Sequence, residues 1–306
     1  MGPERQLVWS KRLHWEKYFS PKTILEALNI LKEFDGRAKV IAGGTDVLLQ
    51  IRNREIAPQA LVDITAISGL DEIKLNDGFI RIGALVTHSQ VVKSRLIQTK
   101  ALALGEGASW LGSPQIRNLG TVAGNIVSGQ PGADTTIPLL ALDASVKVVS
   151  PMGERTIPFH ELFVDIGKTL IDSTKEIVTE IFFPVLGETQ VSLTLRLARR
   201  KALALPILTV AMVLSADLTK RRFREVRIAL GPVAPVPMRP KEAETLLASS
   251  PITDEVIQKA ALKASQESNP RTSLLRGSED YRRAMIANLV ERGIRKGIER
   301  LEGRNV

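Results

Sequence analysis

Two stretches of small residues carry the chemistry that this sequence could support. Residues 41–46 read IAGGTD, a pair of glycines directly after an apolar run. Glycine turns through backbone conformations closed to other residues and lets a ligand approach the amides. Successive N–H groups in such a turn can cradle phosphate oxygens, with the Thr45 hydroxyl as one more donor. A plain hairpin turn uses Gly-Gly equally well, so this stretch alone leaves both readings open. Residues 121–134 read TVAGNIVSGQPGAD. They are too poor in bulky side chains to supply much core, and they repeat the same offer. Backbone can come close to an extended ligand, Thr121 and Asn125 supply neutral polar contacts, and Asp134 can accept a hydrogen bond from a sugar hydroxyl. Two such loops could grip a long ligand at two places, or they could be two surface turns. Neither has the GxGxxG or GxxxxGK[ST] spacing, so any nucleotide would be held on another architecture.

Composition removes several other chemistries. The 306 residues contain no cysteine, which excludes disulfides, thiolate zinc sites and cysteine-ligated iron–sulfur clusters on this chain. The three histidines, His14, His88 and His160, lie far apart with no i, i+3 or i+4 pairing, so no metal site is expected. The formal charge of +9 belongs to the last third: residues 196–306 hold 22 Lys and Arg against 12 Asp and Glu, whereas residues 1–195 hold 20 against 21. Basic surface of this kind could meet nucleic acid, an acidic protein or only solvent. Aromatic residues are only 4% of the chain, which leaves few platforms for stacking bases, so nucleic acid is not the expected partner. No apolar run is long enough to span a bilayer. Charges scattered through MGPERQLVWSKRLHWEKYF leave no apolar block of a secretory signal, which points to the cytoplasm.

The elements that would position the two loops are short and closely spaced, as in a compact α+β protein. In SPKTILEALNILKEF, Ser20 is the candidate cap and Pro21 the first helical residue, followed by apolar residues at helical spacing. A strand precedes Gly43-Gly44, and VLLQI after it fits a strand or a helix. ALVDIT reads as a strand, and GFIRIGALVTHSQVV as a strand turning helical. ALALGEGASWLGSPQIRNLG begins as a helix and turns at Ser113-Pro114. Then come a helix (PLLALDA) and strands SVKVVS, RTIPF and EIVTEIFFP. After GETQ the pattern restarts with a strand, LTLRLARR. LALPILTVAMVLSADL reads as helix followed by strand, RFREVRIALG as a strand entering a proline-rich turn, and two amphipathic helices close the chain.

Taken in order, IAGGTD, IGALVTH, SPQIRNLGTVAGNI, PGAD followed by PLLALDA, and SEDYRRAM resemble the flavin-binding subunit of the molybdenum hydroxylases, the group of xanthine dehydrogenase and aerobic carbon monoxide dehydrogenase. The resemblance covers nearly the whole chain. It implies an FAD-binding domain of the vanillyl-alcohol-oxidase (PCMH) type over residues 1–190, in two subdomains meeting near 66–72. A small C-terminal α+β domain with a three-stranded sheet, of the carbon monoxide dehydrogenase flavoprotein type, would occupy 191–306.

The resemblance also implies site residues. Ile41, Ala42, Gly43, Gly44, Thr45 and Asp46 would form the first, pyrophosphate loop. Thr121, Val122, Ala123, Gly124 and Asn125 would form the second flavin loop, and Asp134 would meet ribityl or ribose hydroxyls. Glu176 and Val178 fall at the adenine end, and Arg196 falls where relatives place a lysine near the flavin ring. No side chain is expected to be a nucleophile or general base, because the flavin carries the redox chemistry. The implied partners are a large subunit with the molybdenum cofactor and a small subunit with two [2Fe-2S] clusters, assembled as a dimer of heterotrimers. Electrons would pass from those clusters to FAD and on to an external acceptor.

Departures from the family pattern are part of the expectation. Ala123 stands where relatives have glycine, which requires an ordinary backbone angle there. Arg196 for lysine keeps the charge and changes its shape. LARRKALALP lacks the acidic residue that xanthine dehydrogenase relatives carry near the flavin, which weakens an NAD acceptor. Two other classes stay open: a free-standing FAD-dependent oxidoreductase of the same fold, and a nonredox basic binding module. Of the remaining single residues, His88 could touch the flavin but is read as the anchor of a helix start, Arg117 and Asn118 could bind cofactor but are read as holding the second loop, and Trp110 could shield flavin but is read as core.

Overall fold

The computed structural model describes residues 15–200 and 203–303, arranged as three successive α+β layers. The first comprises β1 (Lys17–Phe19), α1 (Ile24–Phe34), β2 (Ala38–Ile41), α2 (Val47–Arg52) and β3 (Ala60–Asp63). Its sheet has the order β1-β3-β2 and is parallel throughout. Helix α1 buries Ala27, Leu28, Leu31 and Phe34 against Ala60 and Val62 of β3. Its cap is Thr23 and not Ser20: the Thr23 hydroxyl accepts the Glu26 N–H at 3.1 Å, so Ser20-Pro21 belong to the approach. The ambiguous VLLQI is helical, as α2.

The second layer runs through β4 (Ile73–Asn76), β5 (Phe79–Gly83), six short helices and five further strands. The helices are α3 (His88–Lys93), α4 (Arg95–Lys100), α5 (Leu102–Trp110), α6 (Pro114–Leu119), α7 (Val122–Val127) and α8 (Thr136–Ala141). The strands are β6 (Ser145–Ser150), β7 (Gly153–Pro158), β8 (Phe163–Asp165), β9 (Lys168–Thr169) and β10 (Ile177–Pro184). An antiparallel sheet of order β4-β5-β10-β6-β7 forms the base. Its inward residues Ile80, Ile82, Val146, Val148, Ile181 and Phe183 meet the helices in one core. Ser113-Pro114 is a helix start: Ser113 caps α6 and Pro114 occupies its first turn, where a missing N–H costs nothing.

The third layer is β11 (Gln190–Ala198), β12 (Pro206–Asp217), β13 (Arg222–Gly231), α9 (Lys241–Leu247), α10 (Asp254–Glu267) and α11 (Glu279–Leu301). The three strands form an antiparallel sheet with β12 in the centre. LALPILTVAMVLSADL thus contains no helix; residues 206–217 are a single strand. Val210, Met212 and Leu214 face α10 and α11, while Ala211 and Val213 pack into the core of the second layer. A strand covered on both faces loses the alternation that marks a half-buried one, so it reads from sequence as a continuous apolar run.

Candidate functional site

Between the first and second layers lies a cavity of about 810 Å³, within the range of small-molecule and cofactor pockets. Both small-residue stretches reach it. Ala42, Gly43, Gly44, Thr45 and Asp46 line one wall, and Thr121, Ala123, Gly124 and Asn125 line another. Glu176 and Val178 close one end.

The loops interlock. A Cβ on Gly43 would lie 1.8 Å from the Leu119 carbonyl oxygen, so only glycine fits there. Gly44 needs glycine for another reason, its left-handed φ of +69°. The second loop is tied to the turn before α3: the Val122 N–H donates to the Val86 carbonyl at 3.0 Å, and the His88 N–H donates to the Gly120 carbonyl at 3.1 Å. Ala123 is not in the left-handed region, so alanine sits in the family's glycine position without strain.

The hydrogen bonding of the first loop is incomplete in one direction. Among the described residues, the N–H groups of Gly43, Gly44, Thr45 and Asp46 find no acceptor, and neither does the Thr45 hydroxyl. Four consecutive unpaired amides at a cavity wall make a nest for anionic oxygens. On the other wall, a Cβ on Gly124 would meet only the Thr121 hydroxyl, at 3.1 Å, and otherwise project into open space. These features fit a diphosphate-bearing ligand laid along both loops. The Thr121 hydroxyl accepts the Gly124 N–H at 3.0 Å as the cap of α7, and Asn125 Oδ1 accepts the Thr135 hydroxyl at 2.7 Å.

Other expected site residues take different places. Ile41 and Val122 are buried in the cores behind the two loops. Asp134 and Arg196 are not among the described residues lining the cavity. They form a buried ion pair, Arg196 Nε to Asp134 Oδ1 at 2.9 Å, between the second loop's far end and β11. Burial pushes the Asp134 carboxyl up to about 6, against the opposing pull of Arg196. The Glu176 side chain is occupied as well: it accepts from Arg155 Nη2 at 2.9 and 3.1 Å and from the Asp172 N–H at 2.9 Å. Its work is to shape the 172–176 turn.

Single residues settle similarly. Arg117 Nη1 donates to the Leu111 and Gly112 carbonyls in the turn before α6, and Asn118 accepts from the Ser89 hydroxyl on α3, so both brace α6, and neither bond reaches residues 121–134. Trp110 is half-buried and outside the cores. His88 is fully buried at the cavity wall, and burial followed by the Arg117 charge lowers its pKa to about 4. The β8–β9 hairpin, which contributes Val164, Gly167, Lys168 and Thr169, was not foreseen. The available signal was the pairing of two glycines: the Gly167 N–H donates to the Gly129 carbonyl at 3.0 Å, and no room exists for a Cβ on Gly129. Lys39 also lines the cavity, with its pKa lowered by burial.

Among the described residues no group of three His, Cys, Asp or Glu could hold a metal ion, and no helix is long and apolar enough to cross a membrane. His14 lies outside the described residues.

Comparison with known proteins agrees with this geometry. Residues 12–186 match the family described as the FAD binding domain in molybdopterin dehydrogenase, and residues 194–296 match the CO dehydrogenase flavoprotein C-terminal domain. The chain is 31% identical over 288 residues to a xanthine dehydrogenase FAD-binding subunit of Escherichia coli, covering 94% of this chain and 97% of that one. A solved carbon monoxide dehydrogenase from Hydrogenophaga pseudoflava superposes with a TM-score of 0.88 at 30% identity, covering 94% of this chain and 99% of that one. Quinoline 2-oxidoreductase from Pseudomonas putida 86 superposes with a TM-score of 0.86 at 25% identity, covering 95% and 99%. With both of its parts matched and its interlocked loops facing one cavity, the chain belongs to the FAD-binding flavoprotein subunits of the molybdenum hydroxylases.

Proposed function

We propose that this chain holds FAD in the cavity between its first two layers, receives electrons from [2Fe-2S] clusters of a partner subunit and passes them to an external acceptor. The observation that carries this reading is the run of four amides at 43–46, unpaired among the described residues, on residues that line a cavity whose other wall, at Gly124, has no side chain. The Gly43–Asp46 amides and the Thr45 hydroxyl would hold the diphosphate, and the turn braced by Glu176 would flank the nucleotide end. When bound, FAD supplies reversible uptake and release of electrons. The chain's own residues bind and orient it, and no side chain need act as nucleophile or base.

The relatives support a reading of the partners. Carbon monoxide dehydrogenase of Hydrogenophaga pseudoflava and nicotine 6-hydroxylase of Paenarthrobacter nicotinovorans each include a medium chain or subunit similar to this one. By the same logic this chain would join a large molybdenum-cofactor subunit and a small iron–sulfur subunit, as a dimer of heterotrimers. The excess of Lys and Arg in residues 196–306 offers a docking charge for them.

Purification of the native complex with flavin and metal analysis tests the proposal. The expected result is yellow protein absorbing near about 450 nm, as bound oxidised flavin does, with molybdenum and iron co-purifying. A chain that stays colourless with added FAD would defeat the reading. An active chain that purifies alone would favour a free-standing flavoenzyme.

A further inference from the structure

We propose that His88 is a contact for the diphosphate of the bound dinucleotide, an assignment that rests on the FAD reading above. His88 begins α3, but it does not anchor that helix. Thr87 does so: its hydroxyl accepts the Gln90 N–H at 3.3 Å, and its own N–H donates to Gln90 Oε1 at 2.8 Å. Nor is the ring a satisfied core histidine. It is 1% exposed, yet its Nδ1 has no partner among the described residues, whereas buried polar atoms are nearly always hydrogen-bonded.

Position explains what the ring is for. His88 lines the cavity at the junction of the two loops. A Cβ built on Gly120 would lie 3.5 Å from His88 Cδ2 and 3.5 Å from the Thr45 hydroxyl, so ring edge and hydroxyl both flank Gly120. Thr45 also belongs to the run of four amides unpaired among the described residues. The ring is neutral, since burial and then the Arg117 charge lower its pKa to about 4. A neutral imidazole carries one N–H donor and one lone pair. It thus adds a donor to the nest without a second charge to be desolvated beside Arg117.

The test is FAD affinity of the flavin-stripped full chain, followed by quenching of flavin fluorescence, for the wild type, His88→Leu and His88→Gln. Loss of one hydrogen bond to a charged group predicts that His88→Leu binds FAD about tenfold more weakly. His88→Gln, which keeps a donor, should stay within about threefold. Riboflavin, which has no phosphate, should bind equally to all three. Wild-type FAD affinity in His88→Leu, or a proportionate loss of FAD and riboflavin, would overturn the assignment. Should the leucine variant not fold, imidazole ¹⁵N shifts of the wild type decide: a shift at His88 on adding ADP but not riboflavin supports the contact, and no shift with ADP overturns it. No FAD uptake by the unmodified chain would instead overturn the cofactor reading itself.

Discussion

The loop at 42–46 and the loop at 120–125 touch at Gly43 and Leu119, yet they are built on opposite plans. In the first, four consecutive amides and a threonine hydroxyl have no partner among the described residues. In the second, the polar groups are largely spent on the protein. The Thr121 hydroxyl caps α7, the Val122 N–H and Gly120 carbonyl bond to the 86–88 turn, and Asn125 holds Thr135. One loop is a binder and the other a smooth wall. Both look alike in sequence because small residues report close approach without saying whether a ligand or another stretch of chain approaches. The accounting of hydrogen bonds makes that distinction.

The contact between the two plans is the place to break them both. Gly43→Ala would put a methyl 1.8 Å from the Leu119 carbonyl oxygen, a backbone atom that cannot swing away. The expected outcome is loss of most bound flavin and destabilisation of roughly 3 kcal/mol or more, as for severe overpacking. Flavin-to-protein absorbance and thermal melting would measure it. Normal flavin content would mean that the loops do not have to interlock.

Gly124→Val separates the wall from the fold. Its Cβ meets only the Thr121 hydroxyl, so the valine methyls project into the cavity. Flavin affinity should fall about a hundredfold, close to 3 kcal/mol, while the melting temperature changes far less than in Gly43→Ala. Retained full affinity would reduce the second loop to a turn.

Much of this division was legible before the structure, and the reasons it stopped short are physical. Gly43, Gly44 and Gly124 were marked by their type, and their neighbours by resemblance to the family. Order of elements was readable wherever one face was apolar, as in α1, α10 and β5. It failed at β12, whose two buried faces erase the alternation. It also failed at Ser113-Pro114, where a helix start uses the same residues as a turn. Within the site, Asp134 was named as a ligand contact because a carboxylate suits a sugar hydroxyl, and Glu176 because the resemblance places it at the adenine end. Arg196 and Arg155 meet them in the fold, and such partners, 62 and 21 residues away, leave no local trace.

The two buried groups flanking the second loop, Asp134 at its far end and His88 against Gly120, differ in how they respond to acid. Burial raises Asp134 to about 6, so its contribution is fully present below its unfolded pKa and is lost as pH rises through 6. His88 is lowered to about 4, so its contribution is present above its unfolded value and is lost as pH falls towards 4. The slopes oppose each other between pH 4 and 6, each worth on the order of 3 kcal/mol. Removing one exposes the other: Asp134→Asn should gain stability steadily from pH 4 to 6.5, and His88→Gln should lose it from pH 4 to 6. Melting temperatures across that range give the signs, and equal slopes in both variants would refute the assignment.

The smallest effect sharpens the comparison most, because it uses the same substitution in both loops. Thr45 lines the cavity and its hydroxyl has no partner among the described residues, whereas the Thr121 hydroxyl accepts the Gly124 N–H at 3.0 Å. Valine keeps the shape of threonine and removes the hydroxyl. Thr45→Val should therefore weaken flavin binding several-fold, the worth of one hydrogen bond of about 1 kcal/mol, and leave the melting temperature unchanged. Thr121→Val should cost about 1 kcal/mol of stability through the lost cap and change affinity less. A binder and a wall predict this crossed pattern in paired titration and melting measurements. Two equivalent loops would show both variants losing affinity and stability in the same ratio.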